Sequence, residues 1–430
     1  MKFPLPADTF PMLSLSLEDM HAIEAVAEDV VHSTFDKYYE HMTLHQGVVD
    51  DRQWKKFRKG KDLQVYKARK PKSYNLVKED ATATTDHLSS ASSRASSVSV
   101  DKGKGKAEVE VMAPMLAYGT IPGTLDDVMY SVLSPSPVEM QLRSAYMGDG
   151  FGDWGLLASI IKPSEKDPFR ELSLKWFIKA APMVVAPVMR ARDAVYIDSV
   201  GIKVAPNGER IGYHLYHSVE IPEIRELTDL SSGVVRGKLS VCELYRQRTE
   251  NAVEVYELGM FSPMGDAPAS LTAVMTAEVV VAMYKHVECA EMKKLTRVLI
   301  SSQQQFGQSS SRISLDSPLS LSDLRTSTLP VMASSTNCRL CSQSVGSGLS
   351  FARSKEKHCR ICAKRICSRC RVQKTIYLPT AVEKQISSTK MTFCTPCIHA
   401  AASASSVKFA VLDVLASEGK RVDYVDALRQ

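Results

Sequence analysis

Four C-x-x-C pairs fall close together in this chain: Cys338 and Cys341, Cys359 and Cys362, Cys367 and Cys370, Cys394 and Cys397. No other feature limits the fold as much. A C-x-x-C turn presents two sulfurs to one ion, and Zn²⁺ takes four ligands tetrahedrally, so eight thiolates imply two zinc ions. A segment this short cannot close a core of its own. The metal would supply its folding free energy, on the order of 10–16 kcal/mol per site. Only four residues separate Cys362 from Cys367, too few for each ion to take neighbouring pairs comfortably. The spacing therefore predicts a cross-brace: Cys338, Cys341, Cys367 and Cys370 on one ion, and Cys359, Cys362, Cys394 and Cys397 on the other.

The remaining two of the ten cysteines, Cys242 and Cys289, stand alone in mostly apolar patterns and read as small buried hydrophobes. Met1–Pro11 is broken by three prolines, so no secretory leader is expected. The most apolar stretch, Phe177–Met189, is short and contains Lys179, Pro182 and Pro187, so no bilayer span is expected. A cytoplasmic location, where thiols stay reduced, follows as the expectation.

Charge is unevenly placed. Asn337–Ala400 carries twelve Lys/Arg and two Glu, a formal +10, against +6 for the whole chain, which leaves −4 for the rest.

A chain of 430 residues suggests two or three domains. Leu13, Leu17, Met20, Ile23, Val26, Val30 and Val31 recur at helical spacing and predict an amphipathic helix. Asp51–Lys61 is short and basic and carries Trp54, and Leu63–Lys67 reads as a strand. Residues 81–108 are rich in Ser, Thr, Ala and Lys and are expected to be a disordered insertion. "DWGLLASII" and "ELSLKWFIKA" read as strands; in the second, Leu172, Leu174, Trp176 and Ile178 alternate with Ser173, Lys175, Phe177 and Lys179. Two alternating runs flank Pro206-Asn207-Gly208, which predicts a hairpin with a type I′ turn. "GVVRGKLSVCELYRQ" and "NAVEVYELGMF" read as a further antiparallel pair. Leu271, Val274, Met275, Val279, Ala282, Met283 and His286 then mark one face of a long helix. Residues 299–335 read as a Ser/Gln-rich linker, 336–400 as the cysteine module, and 401–430 as a tail with a possible closing helix.

Catalytic motifs are missing from this pattern, and the chain is expected to be no enzyme. His214 and His217 lie three apart on a strand, so they point to opposite faces and do not readily share a metal. Nucleic acid is not an expected partner, because the basic segment has little aromatic interleaving.

"KHCRICAKRICSRC", set among the outer C-x-x-C pairs, resembles the core of the FYVE zinc finger. The resemblance implies a phosphatidylinositol 3-phosphate site on Lys355, Lys357, His358 and Arg360, with Leu349 and Phe351 entering the bilayer. Glu356, Lys357, Ala363 and Thr392 depart from the family's pattern. "RDAVYIDSVG", the hairpin, "HSVEIPEI", "SGVVRGKLSVCELYR" and the helix from Ala269 resemble START-like lipid-binding domains, and the combination resembles START/FYVE proteins of oomycetes. The resemblance implies an α+β, helix-grip antiparallel sheet over residues 1–298 with a long C-terminal helix, followed by a small cross-braced two-zinc finger. It also implies a hydrophobic lipid ligand and a peripheral place on endosomal or other intracellular membrane. A protein-interaction adaptor without phosphoinositide binding is the alternative. A RING-like ubiquitin ligase comes third, because the fourth ligand is Cys362 where RING fingers usually carry histidine.

Overall fold

Ser16 opens the first helix by a reciprocal cap: its hydroxyl accepts the Asp19 N–H at 3.1 Å, and the Asp19 carboxylate accepts the Ser16 N–H at 3.0 Å. The helix, α1 (Leu17–Thr43), buries Ile23, Ala27, Val30, Val31 and Phe35 on one side. Of the face its periodicity predicts, Ile23, Val30 and Val31 are buried and Met20 and Val26 half-buried, while Leu17, in the first turn, is corrected to exposed at 74%. The computed structural model describes residues 5, 9–69, 114–179, 190–227, 233–262, 264, 268, 273–274, 276–277, 280–306, 337–345, 358–380 and 386–428. The insertion expected at 81–108 lies outside these residues, as does most of the expected linker. The fold is α+β, and the described chain forms two units.

The first unit comprises Met1–Leu125, Asp149–Lys162 and Arg170–Tyr284. Its sheet holds β1 (Trp54–Lys59), β2 (Leu63–Ala68), β3 (Met115–Pro122), β4 (Phe151–Ile161), β5 (Glu171–Lys179), β6 (Ala191–Val204), β7 (Arg210–Ser218), β8 (Val234–Arg236), β9 (Lys238–Thr249) and β10 (Ala252–Ser262). The order is β1-β2-β3-β10-β9-β7-β6-β5-β4, with every pair on this path antiparallel and β8 beside β6 in parallel. Leu172, Leu174 and Trp176 of β5, Val195 and Ile197 of β6, Tyr213 and Leu215 of β7, and Cys242 and Leu244 of β9 join the buried face of α1 in one apolar core. Burial raises the Cys242 thiol to about 12.

The β6–β7 hairpin forms, but its turn is not the expected type I′. Gly208 has φ +81°, while Asn207 is not among the residues with positive φ. The Gly208 N–H donates to the Ala205 carbonyl at 2.8 Å. Pro206 sets the φ of a type I turn, and Gly208 then takes the left-handed position that follows it.

The second unit comprises Asp126–Gly148, Pro163–Phe169 and Lys285–Gln430. It holds α2 (Leu125–Val132), α3 (Pro137–Met147), α4 (His286–Phe306), the hairpin of β11 (Arg371–Pro379) and β12 (Ile386–Cys394), α5 (Thr395–Ser403) and α6 (Ser406–Ser417). The closing helix expected in the tail is α6. Of the helix face expected from Leu271 to His286, Met283 and His286 are buried, while Leu271, Met275 and Val279 lie outside the described residues. Val274 is corrected: it is 43% exposed, and Ala273, Ala277 and Val280 are buried instead, one residue out of step with the sequence pattern. α4 runs on to Phe306, into the stretch read as linker. There Ser301 Oγ donates to Asp423 at 3.0 Å.

The inward side of α4 is ionic as well as apolar. Lys293 Nζ meets Glu139 at 3.1 Å and donates to the carbonyls of Tyr130 and Leu133 at 2.9 and 3.0 Å. Lys294 Nζ meets Asp127 at 2.9 Å and donates to the Ala402 and Ala404 carbonyls at 2.7 and 2.9 Å. Those carbonyls end α5, where a cation also complements the helix dipole. Arg297 pairs with Glu139 and, at 2.9 Å, with Asp413. Among the described residues, no single helix is long and apolar enough to cross a membrane.

Candidate functional site: two metal centres and a buried polar row

The first two C-x-x-C segments fold as near copies. In one, the Cys338 N–H donates to the Gln343 carbonyl and the Ser342 N–H to the Cys338 carbonyl, at 2.8 and 2.9 Å. In the other, Cys359 donates to Lys364 and Ala363 to Cys359, both at 3.0 Å. Each turn needs a left-handed residue just after its second cysteine. Ser342 has φ +58° and Ala363 φ +56°, positions where glycine is the unstrained choice. The Arg339 N–H donates to the Arg365 carbonyl at 3.0 Å, which ties the two turns together.

These turns bring the sulfurs together in two sets. Cys338, Cys341, Cys367 and Cys370 form one, and Cys359, Cys362, Cys394 and Cys397 the other, with all sulfurs of a set within 4.8 Å of one another. This is the cross-braced grouping. Cys341 and Cys367 are 3.6 Å apart, and Cys362 and Cys394 are 3.8 Å apart. A tetrahedral zinc ion with Zn–S near 2.3 Å requires about 3.8 Å between sulfurs. All eight cysteines are free thiols. The donor set therefore fits two metal ions and is consistent with zinc. The Leu340 N–H points at Cys338 Sγ from 3.5 Å. Cys394 caps α5 and Cys397 lies in its first turn, where the helix dipole favours thiolate.

The expected headgroup residues are only partly placed. Lys355, Lys357, Leu349 and Phe351 lie outside the described residues. His358 forms an isolated bridge with Arg365. Arg360 is half-buried; its N–H donates to Thr392 at 3.0 Å, and its carbonyl accepts Gln303 Nε2 at 3.1 Å. Burial lowers the Arg360 guanidinium below its ordinary value. Thr392 is itself buried.

A second cluster lies on the face of the sheet opposite the apolar core. The register places Glu171, Ser173 and Lys175 of β5 beside Asp198 of β6, then His214 of β7, Glu243 and Tyr245 of β9 and Glu257 of β10. All are buried. Lys175 Nζ bonds Glu171 and Asp198, each at 2.6 Å. His214 lies 2.9 Å from Asp198 by Nε2 and 3.2 Å from Glu243 by Nδ1. Tyr245 donates to Glu243 at 2.6 Å. Burial alone pulls Lys175 and His214 downward. The flanking carboxylates outweigh it and hold both above their ordinary values. Asp198 is pressed well below the carboxylate range, because Lys175 and His214 overcome its own desolvation. Glu257 goes the other way: burial, then the charge of Glu243 directly opposite, push its carboxyl well above the usual range.

No family model matches the chain, and no curated protein matches it. Solved structures are similar at low identity. Human StAR-related lipid transfer protein 5 is 13% identical with a TM-score of 0.39, over 62% of this chain and 97% of that one. Human STARD10 is 11% identical with a TM-score of 0.35, over 59% and 79%. A STAR-related lipid transfer protein fragment from Xanthomonas axonopodis is 13% identical with a TM-score of 0.31, over 55% and 96%.

The buried row is what sequence reasoning missed. His214 and His217 do face opposite ways, His217 bonding Ser240 at 2.9 Å on the other side. The partners of His214 come from two neighbouring strands, so no spacing along the chain reveals them. Ser173 and Lys175 alternate with apolar residues as outward-facing residues would, yet both faces of β5 are covered.

Proposed function

We propose that the sheet unit holds a hydrophobic ligand bearing a polar group, and that the cysteine module, loaded with two zinc ions, docks the chain on a phosphoinositide-containing membrane. In this reading the chain is non-enzymatic and peripheral to an intracellular, endosomal-type membrane. The observation that carries the ligand half is the buried row from Glu171 to Glu257. Taking several charges out of water costs several kcal/mol per ion, and an apolar face of similar volume is often as stable or more so. A sheet with one apolar face and one buried ionic face is therefore built to meet something. Lys175 spends its donors on Glu171 and Asp198, whereas Glu257 Oε2 has no hydrogen-bond partner among the described residues, so a protonated Glu257 offers an O–H. An amphipathic lipid with a small hydroxyl or carbonyl head matches that inventory. Organic extraction of the purified chain, followed by mass spectrometry, should recover about one such molecule per chain. Its absence, with no thermal stabilisation by added lipids, would sink this half.

The membrane half draws on the +10 charge of the cysteine segment and on the fit of two metal ions. When bound, zinc would fix the two turns that carry Arg339, His358 and Arg360. Cationic side chains there would attract an anionic leaflet at about 1 kcal/mol each. In flotation with neutral vesicles containing phosphatidylinositol 3-phosphate, Arg360→Ala should weaken recruitment. A second reading, a protein-binding adaptor, is favoured by the half-burial of Arg360 and by the buried Thr392 beside it. It becomes the first if that flotation fails.

A further inference from the structure

The chain-wide charge balance hides a strongly basic edge of the sheet. Residues 52–69 hold eight Lys/Arg and one acidic residue, Asp62, a formal +7. β1 is an outer strand of the sheet, paired along one side with β2. Trp54 turns inward, and every residue from Lys55 to Lys59 is exposed. The register sets Lys55 directly opposite Lys67, where like charges repel by a few tenths to about 1 kcal/mol. Among the described residues, Lys55, Lys56, Lys59, Lys61 and Lys67 have no acidic partner. One or two lysines suffice to keep an edge strand from pairing with another sheet. This strand carries four cations in six positions and also exposes Phe57, at the bulge between Lys56 and Arg58.

The edge is held in place. The Gly60 N–H donates to the Leu63 carbonyl at 2.7 Å, and the Asp62 N–H donates to the Tyr284 hydroxyl. β2 is in turn paired with β3 from Leu63 to Lys67. The segment leading into β1 exposes two aliphatic side chains, Leu44 (72%) and Val48 (68%). Clustered cations interspersed with exposed apolar side chains are the composition of a surface that sits in a lipid headgroup layer.

We propose that the β1–β2 hairpin is a membrane contact of its own, taking anionic phospholipid headgroups on Lys55, Lys56, Arg58, Lys59 and Lys61, with Phe57 entering the interface. It is independent of the cysteine module. Nucleic acid answers less well to this surface, because strand binding uses several exposed rings for stacking, and here Phe57 is exposed while Trp54 is buried.

The test is co-sedimentation of the full zinc-loaded chain with phosphatidylcholine vesicles, with and without about 30 mol% phosphatidylserine and no phosphoinositide, at about 0.1 M salt. The chain should bind only the anionic vesicles. K55A/K56A/K59A should weaken that binding about 100-fold, and Phe57→Ala several-fold. These side chains are exposed, so thermal melts should confirm that the variants fold as the parent does. Equal sedimentation of parent and triple variant would overturn the proposal. So would loss of binding in Arg360→Ala with retention in the triple variant, or capture by single-stranded RNA without capture by vesicles.

Discussion

The sheet unit and the cysteine module meet the same cost, the conformational entropy of an ordered chain, by different means. The sheet buries both faces of its central strands, one apolar and one ionic. The module has few buried apolar side chains, among them Ile361, Ile366, Ile376, Leu378 and Phe393, and relies on eight sulfurs in two sets. The first solution spreads its stability over many contacts. The second concentrates it in two points. One consequence is that the sheet tolerates an internal polar row, while the module has no reserve if a ligand is lost.

Metal removal is the strongest way to break this contrast. Chelation, or Cys359→Ser, should abolish amide protection in β11 and β12 and leave that of β6 and β7 intact, since each site carries about 10–16 kcal/mol. Elemental analysis of the intact chain should find two zinc ions. If β11 stays protected without metal, its packing on α3, including Tyr146 against Tyr377 at 5.1 Å, holds it instead. Next in size, Lys175→Met should cost the sheet unit about 3–5 kcal/mol in urea unfolding, because Glu171 and Asp198 lose their shared cation. A change below 1 kcal/mol would mean that water already reaches the row.

Titration sharpens the same comparison. Glu257 has a folded pKa above its unfolded one. Its contribution is therefore complete below the unfolded value near 4.3 and is lost as pH rises toward the folded value. Glu257→Gln removes that loss, so the variant should gain stability over the parent progressively as pH rises above about 4. A constant difference across that range would place Glu257 in a solvated state. The smallest effect belongs to the module: Ala363→Gly relieves a left-handed alanine at φ +56°. It should strengthen zinc retention against a competing chelator by up to about 1 kcal/mol, roughly fivefold.

The sequence made the metal centres legible because each C-x-x-C turn is local and thiolates at that spacing have few other uses. α1, the β6–β7 hairpin and the paired strands were legible for a related reason, since amphipathic periodicity is a local record of burial. The polar row was not. Whether Lys175 faces water or Asp198 depends on the register of four other strands and on what covers the second face. Likewise nothing local marks Lys293, Lys294 and Arg297 as buried, because their partners Asp127, Glu139 and Asp413 lie more than a hundred residues away in sequence. The turn at Gly208 differed because Pro206 favours a type I geometry over the isolated preference of Asn-Gly.

The hydrogen bond from Tyr130 to Asp413, at 2.8 Å, joins positions 283 residues apart. On a ribosome this distance is time. At about 5–20 residues per second, the end of α3 is synthesised roughly 14–55 s before Tyr424. Tyr424 donates at 2.6 Å to the same Asp413 that receives Arg297. The sheet unit ends at Tyr284 and can begin folding during that interval. α2 and α3 must wait, with Asp127, Tyr130 and Glu139 still unmatched. Nascent chains stalled short of Asp413 are thus the species that chaperones would meet, and the synthesis of the stretch from Asp413 to Tyr424 is where the second unit is completed or lost.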